Sequence, residues 1–156
     1  MTVRTDPKPS APLDADAPSS HLVDLIRDVG ARALTAAGLA SIALIHLLDS
    51  IGKYHETRYL FWMYVALMVG TLVVAAALLH TRRRAAWLAA AGLAAGALVG
   101  YVINRTVGLP NATGDIGNWT EPIGLASLFV EGVVLATSVY GYRLASTRPH
   151  LRAATG

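Results

Sequence analysis

The chain has 156 residues, 54% of them hydrophobic and 15% charged, with a formal charge of +3 and a mean hydropathy of +0.47. Soluble domains carry nearer a quarter charged residues, so this composition excludes an ordinary water-soluble globule. The absence of cysteine excludes disulfides, thiolate metal ligands and thiol chemistry.

Residues 1–20 hold Pro7, Pro9, Pro12 and Pro18 among scattered Asp, Ser and Thr. Such a segment cannot bury a core, and it lacks the apolar run of a signal peptide; a disordered tail is predicted. Leu22, Ile26 and Val29 then recur at helical spacing with Asp24, Arg27 and Asp28 between them. That pattern fits a short interfacial helix or an early start of the first long helix. Four apolar segments follow, at about 30–48, 59–79, 85–103 and 123–144. A helix needs about 20 apolar residues to cross a bilayer, and in lipid only helices or closed barrels satisfy their backbone. The predicted fold is therefore all-α, an integral membrane four-helix bundle over residues 21–145. In the first helix Arg32 is expected to snorkel to the headgroups. The short connections Asp49–Arg58 and His80–Arg84 make neighbours antiparallel. The basic tail 146–156 would follow anionic headgroups.

Cytoplasmic loops of membrane proteins collect Lys and Arg. Of the 13 such residues, Arg4, Lys8, Arg27, Arg32, Arg82, Arg83, Arg84, Arg143, Arg148 and Arg152 fall on one side of the predicted bundle; Lys53, Arg58 and Arg105 fall on the other. Both termini are thus expected in the cytoplasm, in a bacterial plasma membrane, and the run at 82–84 reads as a topology anchor with no nucleic-acid role. The 104–122 stretch then faces outward. Its Asn-x-Thr triplets at Asn104, Asn111 and Asn118 match glycosylation sequons only formally. Trp119 fits an interfacial anchor, and Thr120 a helix N-cap before Pro122.

Glu131 is the one acid well inside an apolar segment, about nine residues or about 13 Å along the fourth helix. Gly124, Ser127 and Ser138 share its face, so it is expected to point into the bundle. Ionisable groups at that depth cost at least about 2.5 kcal/mol on insertion scales and commonly mark a pathway or site. His46 and Asp49 share a helix face, and the connection after them adds His55 and Glu56. Imidazoles and carboxylates together suit a transition metal, although the spacing matches no metal signature; b-type haem is the less favoured cofactor. Met63 and Met68 are read as bundle packing. Arg105 emerges at the end of the third helix, where Glu56, Asp115, Glu121 or an anionic headgroup could pair with it. Asp115, Asn118 and Glu121 offer oxygens without the EF-hand pattern. Gly92, Gly96 and Gly100 line one face of the third helix and would let a neighbouring backbone approach, within the bundle or in a homodimer.

The run "RTVGLPNATGDIGNWTEPIGLASLFVEG", Arg105–Gly132, resembles a set of small, uncharacterised four-helix integral membrane proteins of actinobacteria. They share an R-T-x-G-L-P turn, an acidic Gly/Trp segment, then E-P-x-G and a helix bearing Glu. The likeness covers about a fifth of the chain. It implies the same architecture and marks Arg105, Gly108, Pro110, Glu121 and Glu131, and it implies no activity. No nucleophile–base pair is visible, so an enzyme is not favoured. The functional expectation is an accessory or ligand- or cofactor-site membrane protein with its polar site on the extracytoplasmic face. A small proton-coupled transporter using Glu131 and a structural subunit of a larger membrane complex are the alternatives.

Overall fold

The computed structural model describes residues 17–147, with side-chain surroundings from residue 21 onward. The expected tails lie outside the described residues from 1 to 16 and from 148. Four helices run in order: α1 Ala17–Glu56, α2 Arg58–His80, α3 Arg84–Thr106 and α4 Pro122–Ser146. All four are long and apolar enough to cross a membrane. Each turns large apolar residues outward, among them Leu44, Leu72, Val99 and Phe129.

The first helix departs furthest from the expected bounds. It spans 40 residues, about 60 Å at 1.5 Å per residue. The periodic segment from Leu22 is its early start and no separate helix. At the other end Asp49–Glu56 is helical and forms no loop. Only Gly52 opposes helix there, at about 1 kcal/mol, and Lys53 and His55 in the last turn suit the negative end of the helix dipole. Thr57 alone makes the turn into α2, with φ −147° and ψ 88°. Pro122 opens α4 as expected, but the cap is Glu121 rather than Thr120. Glu121 makes no side-chain cap bond, because its carboxylate is engaged by Arg105.

Each helix packs on its neighbours in chain order and α4 closes onto α1; of these four contacts, that of α2 with α3 is the least extensive. At one end of the bundle Arg32 binds Asp28 at 3.1 Å and donates to the carbonyls of Leu78 and Thr81 at 2.8 and 2.7 Å. Its guanidinium also lies over the Trp87 ring, 5.5 Å from the centroid. Instead of snorkelling, Arg32 caps the C-terminus of α2, whose last carbonyls have no helical partner. Arg84, from the basic run, does the same for α4 through the Ala145 carbonyl at 3.1 Å.

The half of the bundle next to these caps is solid. Leu39, Ile42, Leu78, Trp87, Ala90 and Val134 are fully buried, and Thr35 donates to Thr137 at 2.9 Å to tie α1 to α4. Two glycines permit the close approach: a Cβ on Gly38 would run into Val134, and one on Gly141 into the Trp87 indole. Overpacking a closed core costs about 1–3 kcal/mol. Gly141→Ala should therefore lower the thermal unfolding transition of the detergent-solubilised protein. Gly132→Ala, with open space at its Cβ, should leave it unchanged or raise it, since Gly weakens a helix interior.

Candidate functional site

The other half of the bundle is closed by the α3–α4 loop and is hollow beneath it. After Thr106 the chain reverses through Leu109-Pro110-Asn111-Ala112, with the Ala112 N–H donating to the Leu109 carbonyl at 2.9 Å. Proline fixes the second turn position, and Asn111 takes the positive φ of 56° that the third requires. Gly108 holds φ +77°, and a Cβ there would meet Ile116 at 3.0 Å. The loop is tied across to the α1–α2 turn. Tyr59 donates to the Pro110 carbonyl at 2.6 Å, and Thr57 to the Asn111 carbonyl at 3.2 Å.

Arg105 holds the loop from below. It is 5% exposed, pairs with Asp115 at 3.2 Å and donates to a Glu121 carboxylate oxygen. Its own carbonyl accepts the Gly117 N–H at 2.9 Å, and its guanidinium lies 5.1 Å from the Tyr101 ring centroid. Asn104 donates to Asp115 at 3.1 Å, and Lys53 reaches the same carboxylate from α1 at 3.5 Å. Charged hydrogen bonds of this kind are worth roughly twice a neutral one, and here they join α1, α3, the loop and the start of α4. Burial would raise the Asp115 carboxyl, but the Asn104 donor and the Lys53 and Arg105 charges outweigh it and hold the group below its ordinary value.

Below this latch lies a cavity of about 300 Å³ lined by all four helices, at the small end of the range for small-molecule sites. Ile45, Leu60, Met63, Leu67 and Leu93 supply apolar wall, and the Gly92/Gly96/Gly100 face borders it from α3. Glu131 sits in the wall at 1% exposure. Ser127, one turn before it, donates to Oε1 at 2.6 Å, while Oε2 is buried with no partner among the described residues. His46 also lines the cavity. Its Nδ1 lies 2.9 Å from the Ile42 carbonyl; a carbonyl can only accept, so that nitrogen carries hydrogen and Nε2 is the acceptor of the neutral ring. The Tyr64 ring stands edge-on to His46 at 5.0 Å, and the Tyr64 hydroxyl donates to Asp49 at 2.9 Å.

The structure thus brings together Glu131, Arg105, Glu121, Asp115, His46 and Asp49 around one space. It separates them from His55 and Glu56. His55 packs against Tyr54 and Glu56 pairs with Lys53 at 3.4 Å, both exposed. Because α1 stays helical here, nine residues from His46 place His55 about half a turn away. Among the described residues no three His, Asp or Glu side chains gather as a metal site requires. Arg105 takes Asp115 and Glu121 and not Glu56, and this engages two of the three loop residues considered for calcium. A Cβ on Gly92, Gly96 or Gly100 would meet nothing within 4 Å, so within this chain the stripe faces the cavity and permits no close helix contact. Met63 is largely exposed and forms part of the cavity wall, not bundle packing. Lys53, Tyr64 and Tyr101 were not singled out from sequence. Lys53 stands four residues after Asp49 and Tyr101 four before Arg105, spacings that share a helix face.

No family model, curated protein or solved structure matches the chain.

A carboxylate whose folded pKa is depressed adds stability above its unfolded pKa and loses it as pH falls through the folded one. Asp115 should therefore hold the loop fully above about pH 5 and release it progressively below about pH 4. Amide hydrogen exchange in 107–119, corrected for intrinsic rates, should accelerate over that fall. Asp115→Asn should exchange fast at neutral pH and show little further pH dependence.

Proposed function

We propose that this multi-pass membrane protein binds a small amphipathic molecule in the cavity beneath the α3–α4 loop. The mouth would lie on the extracytoplasmic face of a bacterial plasma membrane. One observation carries the reading: the buried Glu131 lines an open space and keeps a carboxyl oxygen without a partner. A buried, unsatisfied polar atom costs about 1–3 kcal/mol, more for a charged group. A purely structural glutamate would sit in closed packing with both oxygens satisfied. The glycine stripe supports the same reading, because Gly92 and Gly96 hold the cavity open where larger side chains would fill it. The outward placement of the mouth rests on the distribution of Lys and Arg between the two ends of the chain's helices. The likeness to actinobacterial four-helix membrane proteins agrees with that setting.

In this reading the protein is an accessory or ligand-site component. A second reading, a small proton-coupled carrier, draws on the same Glu131 oxygen: a buried acid with a vacant position can exchange a proton for a ligand. The carrier reading adds the requirement that the site open to both sides.

Gly96→Leu separates ligand binding from a structural-subunit role. The new side chain enters open space, so the variant should fold and assemble as the parent does. Native mass spectrometry of protein extracted gently from its own membranes should show a small molecule on the parent and none on Gly96→Leu. A changed oligomeric state with no difference in bound mass would instead make the stripe an assembly contact.

A further inference from the structure

We propose that the molecule taken by the cavity is an organic cation, with an ammonium group for Glu131 and an apolar body for the walls. This rests on the cavity being a ligand site. Among the described residues the charges that line it do not balance: Asp49, Asp115, Glu121 and Glu131 stand against Lys53 and Arg105. Both cations are committed. Arg105 is shared between Asp115 and Glu121, and Lys53 between Asp115 and Glu56. Asp49 receives the Tyr64 hydroxyl. Glu131, on α4 at the far wall, receives one hydroxyl and no cation.

Two of the unfilled hydrogen-bonding positions have the same polarity. Glu131 Oε2 and Asn104 Oδ1 are both buried acceptors without a donor. The Asn104 assignment is fixed by chemistry, since the atom 3.1 Å from the Asp115 carboxylate must be the amide nitrogen. Two further cavity groups are the Arg105 Nε–H, a donor, and the Tyr101 hydroxyl, neither in full hydrogen-bond geometry, but the hydroxyl lies where it can accept from the Arg105 guanidinium. They belong to side chains already stacked on each other, an arrangement that offsets part of that loss. What the space lacks is therefore donors and positive charge.

An anionic guest would meet no uncommitted cation. A neutral alcohol would satisfy one acceptor and leave the carboxylate uncompensated. A bare metal ion would need several oxygen or nitrogen ligands, and among the described residues no three carboxylates or imidazoles gather to supply them. An ammonium on an apolar body matches both halves of this lining. The perpendicular His46 and Tyr64 rings add aromatic surface on which a cation is favourable.

Three probes with one body and different heads test this: 4-phenylbutylammonium, 4-phenylbutan-1-ol and 4-phenylbutyrate. Each is titrated by calorimetry into the full chain in mild detergent. A charge-assisted contact to Glu131 should make the ammonium bind at least about ten-fold more tightly than the alcohol, with no binding of the carboxylate. Glu131→Gln, checked for an unchanged thermal transition, should remove most of that preference while sparing the alcohol; Glu131→Asp should keep part of it, which also guards against a folding defect in the Gln variant. Alcohol or carboxylate binding as tight as the ammonium, and abolished by Gly96→Leu, would overturn the cation and leave the cavity as a site for another class. Binding of none of the three would overturn both.

Discussion

The Arg105 guanidinium is the group on which the loop half of this bundle depends. It is buried at the end of α3 and engages Asp115 in the loop and Glu121 at the start of α4, while the same chain position accepts the Gly117 N–H. A buried ion pair with one partner removed typically costs about 3–5 kcal/mol, because the remaining charge is stranded. Here a single cation satisfies two carboxylates, and Lys53 and Asn104 complete the coordination of one of them. The loop is consequently tied to α1, α3 and α4 above the cavity.

That cover sits on a bundle with two different halves. Next to the chain ends, the Val134 side chain and the Trp87 indole close onto Gly38 and Gly141, and arginines cap the ends of α2 and α4. Toward the loop, α3 presents Gly92, Gly96 and Gly100 to the space that Ile45, Leu60, Met63 and Leu67 of α1 and α2 also line. Glycine therefore has opposite uses in one fold. Gly38 and Gly141 are filled by neighbours; Gly92, Gly96 and Gly100 are left open. The open half contains Glu131, His46, Tyr64 and Tyr101 around the cavity.

Much of this was legible in the sequence, because length and hydropathy alone define membrane-length helices and the positions of their polar interruptions. Glu131 was identifiable as inward-facing from the small and polar residues on its stripe, and Arg105 from its place at a helix end beside acidic loop residues. The long α1 was less legible. A polar run such as DSIGKYHETR looks like a loop by hydropathy, yet only Gly52 resists helix within it, and the extra helical turns carry Lys53 to Asp115 and His55 away from His46. Side-chain spacing cannot reveal a cavity either. The same glycine stripe serves close packing or an open wall, and the difference lies in how far away the neighbouring helix is placed.

The chain has no cysteine of its own, so a single thiol can report on the open half of the bundle. With Gly96→Cys in the full protein, the rates of modification by the ethylammonium and ethylsulfonate methanethiosulfonates, of matched size, give access and electrostatic sign together. A hydrated, acid-lined cavity predicts ready modification, faster with the cationic reagent, and no comparable reaction at the outward Leu72→Cys. A Gly96→Cys thiol as inert as the one at position 72 would mean that this face is closed against a neighbour, and that no cavity stands beneath the loop.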